Sequence, residues 1–432
     1  MRRREFISAT GAGLAFGAPG ANPAKTVRLG FIGTGGRGTS LLRIAQLVEG
    51  VEVRAVCDTD KAHLTRAQDI VQSAGGRKPE GYTGGEEEYK RLLERDDLDA
   101  VLVATPWKWH TPMAVDGMKA GKYVGVEVPA GITLEDCWAL VNTHEQTKTP
   151  CMMLENWSFR RDNLALLNMI RKGIMGDVTH AHCAYAHDCV QEWFFEGDGR
   201  MKWPVKYLIE RNADQYPTHG LGPVLSWMDI NCGDYPEYLT STATRAASVN
   251  RHFEKKYGAN HPMARQKFKQ GDIVVTVIKT FQGKSIVVYF DMVSPRPYDN
   301  RWQLSGTNGV YSHEHNAIYI EGVSPKEHAW EPFDGYQEKY DHAWHRAFRE
   351  ASAGLNPELL AHGAPDYLEI KLFLEAARDK KPVPLDIYDS VVMSAPIALS
   401  EMSIAQGSAP MPFPDFTRGK WKTNKPHFAL EA

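Results

Sequence analysis

The chain has 432 residues, 43% hydrophobic and 24% charged, which are the values of a folded globular protein with room for two domains. Fifty Lys and Arg against 53 Asp and Glu give a net charge of −3, and no basic stripe follows the sequence, which excludes nucleic acid as the expected partner. No stretch approaches the roughly 20 continuous apolar residues that a membrane-spanning helix requires.

The first segment, "MRRREFISATGAGLAFGAPGANPA" (1–24), joins three arginines to a weakly apolar Gly/Ala-rich run and small residues, the pattern of an export signal. Arg3-Arg4-Glu5-Phe6-Ile7 resembles the twin-arginine consensus, whose pathway carries folded proteins across the bacterial inner membrane. The expected location is therefore periplasmic or cell-surface. A chain that folds before leaving a reducing compartment has little opportunity to form disulfides. Cys57, Cys137, Cys151, Cys183, Cys189 and Cys232 are thus expected as free, mostly buried thiols.

From residue 27 strands and helices alternate. "VRLGFIG" is a buried-strand pattern, "TSLLRIAQLVEG" a helix, "VEVRAVCD" a second strand ending in an acid, and "AHLTRAQDIVQSAG" and "EEEYKRLLERDDL" helices. "DAVLVATP", "YVGVEVP" and "CMMLEN" read as further strands, with helical spacing in "HTPMAVDGMKAGK" and "LEDCWALVNTHEQT" between them. Such alternation implies a parallel, doubly wound sheet. Beyond residue 157 the character changes. The helix "NLALLNMIRKGIMG" leads into polar and aromatic loops, then into "DIVVTVIKTFQ", "KSIVVYFDMVS", "RWQLSGTNGVYSH" and "NAIYIEG", which predict an antiparallel sheet. Helices return in "YDHAWHRAFREASAG", "PDYLEIKLFLEAARDKK" and "DIYDSVVMSAPIALSEMSIAQG". The expected organisation is an export signal (1–24), a dinucleotide-binding domain (25–156), an α+β domain with a large, mainly antiparallel open-faced sheet (157–385), and a helix and tail packing back on the body (386–432). The open face of that sheet could form a homo-oligomer interface.

Gly33-Thr34-Gly35-Gly36-Arg37-Gly38 fits G-x-G-x-x-G between the first strand and the first helix, the context of a Rossmann phosphate loop. The first glycine permits the tight turn, the second lets backbone approach a pyrophosphate, and the third lets helix and strand pack closely. Phosphate charge then meets the free N–H groups of a helix N-terminus. Asp58, twenty residues past Gly38 at the end of the second strand, can take the adenosine ribose hydroxyls and would repel a 2′-phosphate, so NAD is expected over NADP.

The order of elements resembles the glucose-fructose oxidoreductase and inositol dehydrogenase superfamily, in which the strand corresponding to "YVGVEVP" usually ends in Glu-Lys-Pro. Here that place reads Glu127-Val128-Pro129, and valine cannot move a proton. "TPWKWHTP", "LENWSFRRD", "AYAHD", "YPTHGLGPV", "SPRPYDN" and "GSAPMPFPDFTRG", with the twin-arginine signal, are similar to glycoside hydrolase family 109, the NAD-dependent α-N-acetylgalactosaminidases. The resemblance implies a hydrolase acting on a small glycoside or glycan terminus that holds NAD as a catalyst. Transient oxidation at C3 of the sugar acidifies C2, elimination expels the C1 oxygen, and water addition and re-reduction follow with net retention. This route needs proton handlers rather than the usual two flanking carboxylates.

On the family match, Tyr216 and His219 would carry those proton transfers, set by Pro217 and a Gly220-Leu221-Gly222 hinge. Trp107 to His110, Glu127, Val128 and Asn156 would join Gly33, Gly35, Gly36, Arg37, Gly38 and Asp58 around the cofactor, with Tyr216 and His219 at its reactive end. Tyr185, Tyr298, Arg200, Arg211 and Tyr216 would contact the sugar, aromatic faces stacking on its C–H surfaces. His187-Asp188 completes no metal ligand set, and no metal is expected. A sugar dehydrogenase and a non-catalytic protein that keeps NAD remain the alternatives.

Overall fold

The computed structural model describes residues 26–352 and 363–430; the export signal lies outside them. Six parallel strands form the first sheet: β1 Val27–Ile32, β2 Val51–Cys57, β3 Glu80–Tyr82, β4 Ala100–Val103, β5 Tyr123–Glu127 and β6 Cys151–Leu154, in the order β3-β2-β1-β4-β5-β6. Every residue of β4, β5 and β6 is buried, as continuous apolar strands require when helices cover both faces. The connecting helices are α1 Gly36–Ala45, α2 Lys61–Ser73, α3 Tyr89–Leu93, α4 His110–Lys119 and α5 Leu134–Thr147. Local chemistry fixes their starts. The Asp60 side chain accepts the Ala62 and His63 N–H groups at α2, and Thr133 with Asp136 makes a capping box at α5. Strand order reverses between β1 and β4, which opens a crevice at their C-terminal ends. The glycine loop lies there.

The second sheet has nine strands: β7 Val178–Ala186, β8 Pro236–Ala243, β9 Val274–Thr280, β10 Ser285–Asp291, β11 Gln303–Gly306, β12 Gly309–Ser312, β13 Ala317–Ile320, β14 Glu331–Pro332 and β15 Met411–Pro412. All its pairings are antiparallel except β10 with β7, so the mainly antiparallel sheet expected from the alternating segments is present. Four of its strands, β7, β8 and the two-residue β14 and β15, escaped pattern reading, as did β3. β7, "VTHAHCAYA", is broken by histidines; β8, "PEYLTSTA", is polar; and β3 of the first sheet is only three residues long. On β9 the residues alternate between buried and outward, with Val275 and Val277 about 40% exposed. All six cysteines are free, five of them buried. Among the described residues no helix is long and apolar enough to cross a membrane.

Helix α6 Arg161–Arg171 joins the two sheets in sequence, and α7 Val205–Glu210 and α8 Thr218–Trp227 lie between β7 and β8. Residues 220–222 form no hinge: they sit inside α8. A Cβ on Gly220 would lie 3.2 Å from the Cys183 sulfur and one on Gly222 only 1.9 Å from a Glu155 oxygen. These glycines buy close approach, not flexibility. Helix Ala364–Asp379 falls within the stretch assigned above to the second domain, yet it packs on α1, β1 and β6. The run "DIYDSVVMSAPIALSEMSIAQG" is two helices, Ile387–Ser394 and Pro396–Ala405, because Pro396 cannot donate the backbone bond that would continue the first.

The glycine loop sets a testable packing limit. A Cβ on Gly38 would stand 2.0 Å from the Gly33 carbonyl oxygen, whereas one on Gly36 would meet nothing within 4 Å. Gly38→Ala is expected to cost about 1–3 kcal/mol or more in a denaturant melt, and Gly36→Ala to stay within about 0.5 kcal/mol of wild type; equal costs would contradict this reading of the loop.

Candidate active site

The dinucleotide end is built from backbone. Gly33 turns the chain with φ +86°, and Gly35 stands at the N-terminus of α1 with no side-chain cap and no acidic residue in the first turn behind it. Nothing lies within 4 Å of a Cβ placed on Gly36 and only the His63 ring, at 3.9 Å, faces one on Gly35, which leaves the uncapped N–H groups for an anion. Asp58 accepts the Thr34 N–H at 2.7 Å and the Asp60 N–H at 2.8 Å, one on each oxygen. The carboxylate is thus pinned at the end of β2 while keeping lone pairs for ribose hydroxyls. These residues fit a dinucleotide.

From the β4 and β5 ends a cleft of about 680 Å³ runs toward the second sheet, bordered by Arg37, Trp107, His110, Glu127, Val128 and Asn156 on one side and Tyr185, Tyr216, His219 and Tyr298 on the other. A larger, open groove of about 1160 Å³ between α1 and α2 contains none of these residues.

Tyr216 precedes α8 and His219 occupies its first turn, so their rings meet edge to face with centroids 5.1 Å apart. Trp107 stacks on Tyr216 at 5.8 Å, and Tyr185 lies 4.7 Å from Tyr216 and 5.4 Å from His219. Burial holds the Tyr216 and Tyr185 phenols well above their ordinary range, so both stay protonated and offer a neutral O–H. His219 Nδ1 lies 2.6 Å from Glu155 Oε1. Glu155 is fully buried and also accepts the Trp157 and Ser158 N–H groups and the Ser158 hydroxyl. A carboxylate facing Nδ1 assigns the proton to that nitrogen and leaves Nε2 as the basic one.

Other expected contacts fall differently. Arg37 borders the cleft, but its guanidinium is held by Glu127 (Nε–Oε1 2.6 Å) and by Asp366 (Nη1–Oδ2 2.8 Å), so it spans the cleft floor instead of presenting its charge to a phosphate. His110 has Nδ1 2.7 Å from the Pro129 carbonyl oxygen and Nε2 2.7 Å from that of Thr105; its ring braces the walls after β4 and β5. The Val128 N–H donates to the Glu127 carboxylate. Asn156 donates Nδ2 to Asp366 at 2.7 Å, and its buried Oδ1 has no hydrogen-bond partner among the described residues. Tyr298, 40% exposed, stands at the rim 5.8 Å from Tyr185. Two arginines assigned to the sugar are not in the cleft. Arg200 is 77% exposed and folded onto Asp198 of its own turn, and Arg211 is anchored to Glu401 and to the Ile132 carbonyl. A carboxylate two residues away satisfies the first and one 190 residues away the second.

Glu155 and Asp366 were not singled out in the sequence. Glu155 could have been, since it closes β6 at the C-terminal edge where open α/β sheets bind ligands. Asp366 carries no local signal, lying 210 residues from Asn156 in the chain.

Comparisons with known proteins agree with this geometry. Residues 27–155 match the model of the oxidoreductase family with an NAD-binding Rossmann fold, and residues 159–423 that of the glycosyl hydrolase 109 C-terminal domain. The chain is 40% identical to an alpha-N-acetylgalactosaminidase of Tannerella forsythia, over 94% of this chain and 89% of that protein. It is also 40% identical to a glycosyl hydrolase family 109 protein of Stenotrophomonas maltophilia, over 100% and 99%. Among solved structures, a levoglucosan dehydrogenase in complex with NADH and levoglucosan superposes with a TM-score of 0.67 at 16% identity, covering 90% of this chain and all of that one. An apo scyllo-inositol dehydrogenase from Lactobacillus casei gives 0.63 at 14%, covering 90% and 99%.

One buried acid beside the site makes a pH prediction. Asp214, two residues before Tyr216, is fully buried, and burial, only partly offset by the nearby Tyr216 backbone N–H, pushes its carboxyl up to about 7. The folded state binds that proton more tightly than the unfolded chain does, so the contribution is full below about pH 4 and is lost as pH rises through about 7. Asp214→Asn should therefore flatten the fall in stability between those limits and gain about 2 kcal/mol or more at pH 8, read by denaturant melts across pH; parallel curves for the two proteins would exclude this.

Proposed function

This chain belongs to glycosyl hydrolase family 109 and is an NAD-dependent glycoside hydrolase, and we propose that it removes terminal α-linked N-acetylgalactosamine with retention of configuration. The relative from Tannerella forsythia named for that activity supports the substrate. The mechanism is supported above all by one observation, the buried Glu155 carboxylate directing His219 into a cleft shared with a protonated Tyr216 and with the dinucleotide loop.

Bound NAD supplies a reversible hydride acceptor, so hydrolysis can proceed without two carboxylates flanking the scissile bond. Of the carboxylates bordering the cleft, Glu127 is held by Arg37 and Glu192 is 73% exposed at the rim; neither is arranged as a general acid. His219 Nε2 accepts a proton from the sugar ring, and Glu155 stabilises the imidazolium that results. Tyr216 Oη, kept neutral by burial, donates to a sugar oxygen and carries the complementary proton. Tyr185 and Tyr298 form an aromatic corner against which the C–H face of the sugar stacks. Trp107 stacks on Tyr216 while Trp193 meets it edge-on, and Trp203 packs edge-on against both tryptophans at the outer side of that wall.

The test is to supply a chromogenic α-N-acetylgalactosaminide to the purified protein in heavy water without added NAD. Released aglycone, deuterium at C2 of the freed sugar and no accumulation of reduced cofactor are expected. His219→Ala should lower turnover by at least about 100-fold while the bound NAD, measured after dialysis, is retained. Net NADH formation would instead identify a sugar dehydrogenase.

We further propose export through the twin-arginine pathway, supported by Arg3-Arg4-Glu5-Phe6-Ile7. Replacing Arg3 and Arg4 by lysine should leave the precursor in the cytoplasmic fraction; export unchanged by the replacement would refute this route.

A further inference from the structure

Helix Ala364–Asp379 comes from the far end of the chain and lays its first turns behind the cleft, against α1 and the segment that carries Asn156. Asp366 and Glu369 lie three residues apart on it, and both are fully buried. Their situations differ. Both oxygens of Asp366 are engaged: Oδ2 accepts Arg37 Nη1 at 2.8 Å, and Oδ1 accepts Arg37 Nη2 at 3.2 Å and Asn156 Nδ2 at 2.7 Å. Neither oxygen of Glu369 has a hydrogen-bond partner among the described residues, and burial raises its carboxyl well above the usual range, so it is a neutral neighbour.

The contact to Asn156 has a consequence for ligand recognition. A carboxamide presents a donor at one end and an acceptor at the other, and its two orientations occupy almost the same volume. With Arg37 across it, the Asp366 carboxylate can only accept, so it fixes the Asn156 amide with Nδ2 turned toward itself. Oδ1 is left over. That atom belongs to a residue bordering the cleft and has no partner within the described protein, and a buried acceptor of this kind is costly until a donor reaches it.

We propose that Asp366 is a positioning residue, which locks the Asn156 amide so that it offers only an acceptor to the cleft and thereby selects a ligand group bearing an N–H, the carboxamide of the nicotinamide ring. The inference rests on the binding of NAD and is independent of which glycoside is cleaved. A donor could also come from a sugar hydroxyl, and the experiment separates the two sources.

The full-length protein is equilibrated with excess NAD and 3-acetylpyridine adenine dinucleotide, an analogue whose acetyl group has no N–H, and the bound nucleotides are released and quantified by chromatography. The wild type should prefer NAD by about tenfold, the value of one buried hydrogen bond. Asp366→Asn leaves one acceptor oxygen for Arg37 and turns an amide N–H₂ toward Asn156, reversing it, so the preference should fall to within about twofold. Asn156→Ala, which keeps Asp366 and Arg37 paired, should lose the preference equally and guards against a folding defect in the first variant. Glu369→Gln, one turn away on the same helix, should discriminate as the wild type does. A wild type that does not distinguish the two nucleotides overturns the proposal, as does an Asp366→Asn variant that distinguishes them fully. A raised KM for the glycoside in Asn156→Ala with the nucleotide preference intact would assign Oδ1 to a sugar hydroxyl and overturn it as well.

Discussion

A carboxylate with no exposure to water must find donors on every side, and Glu155 finds four: the Trp157 and Ser158 N–H groups, the Ser158 hydroxyl and His219 Nδ1. Three of them are local, supplied by the turn that leaves β6. The fourth comes from α8, 64 residues away, and the distance of 2.6 Å is reached only because Gly222 has no Cβ to occupy the space. The same helix lies against β7 at Gly220 and receives Trp302 Nε1 on the Gly220 carbonyl. A single desolvated charge thus couples the edge of the parallel sheet to the mixed sheet, and it does so at a residue that borders the cleft.

A second buried charge system lies beside it. Arg37 leaves the third-glycine end of the dinucleotide loop, crosses to Glu127 at the end of β5 and reaches Asp366 on a helix from the other end of the chain. Buried pairs of this kind add little net stability, since desolvation consumes most of their attraction, but breaking one strands the partner. Their effect is geometric. The loop that receives the cofactor, the strand end beside it and Asn156 are held in one fixed relation.

The architecture is that of sugar dehydrogenases, as the superposition on levoglucosan dehydrogenase illustrates, whereas family membership makes the chain a hydrolase. The difference resides in side chains and not in the fold. Where the superfamily usually places a lysine, Val128 contributes only a backbone N–H to Glu127, and the cleft instead carries a histidine with a carboxylate behind it and tyrosines kept protonated by burial.

The parallel sheet was legible from sequence because its information is local. Apolar strands, helical spacing, caps and the six-residue glycine pattern repeat within about thirty residues, and an acid closing β2 follows at a fixed interval. Tyr216 and His219 share the cleft because only two residues separate them. The remainder depended on contacts that sequence distance conceals. Nothing near Arg211 in the chain says that its side chain is claimed by Glu401, 190 residues away and outside the cleft. Glycines 220 and 222 read as a hinge because loop and helix use the same residue for opposite reasons, freedom in one and close approach in the other. The orientation of His219 and of Asn156 was decided by Glu155 and Asp366, since a titratable ring or an amide takes its polarity from whichever charge is buried against it, and only the folded chain determines which charge that is.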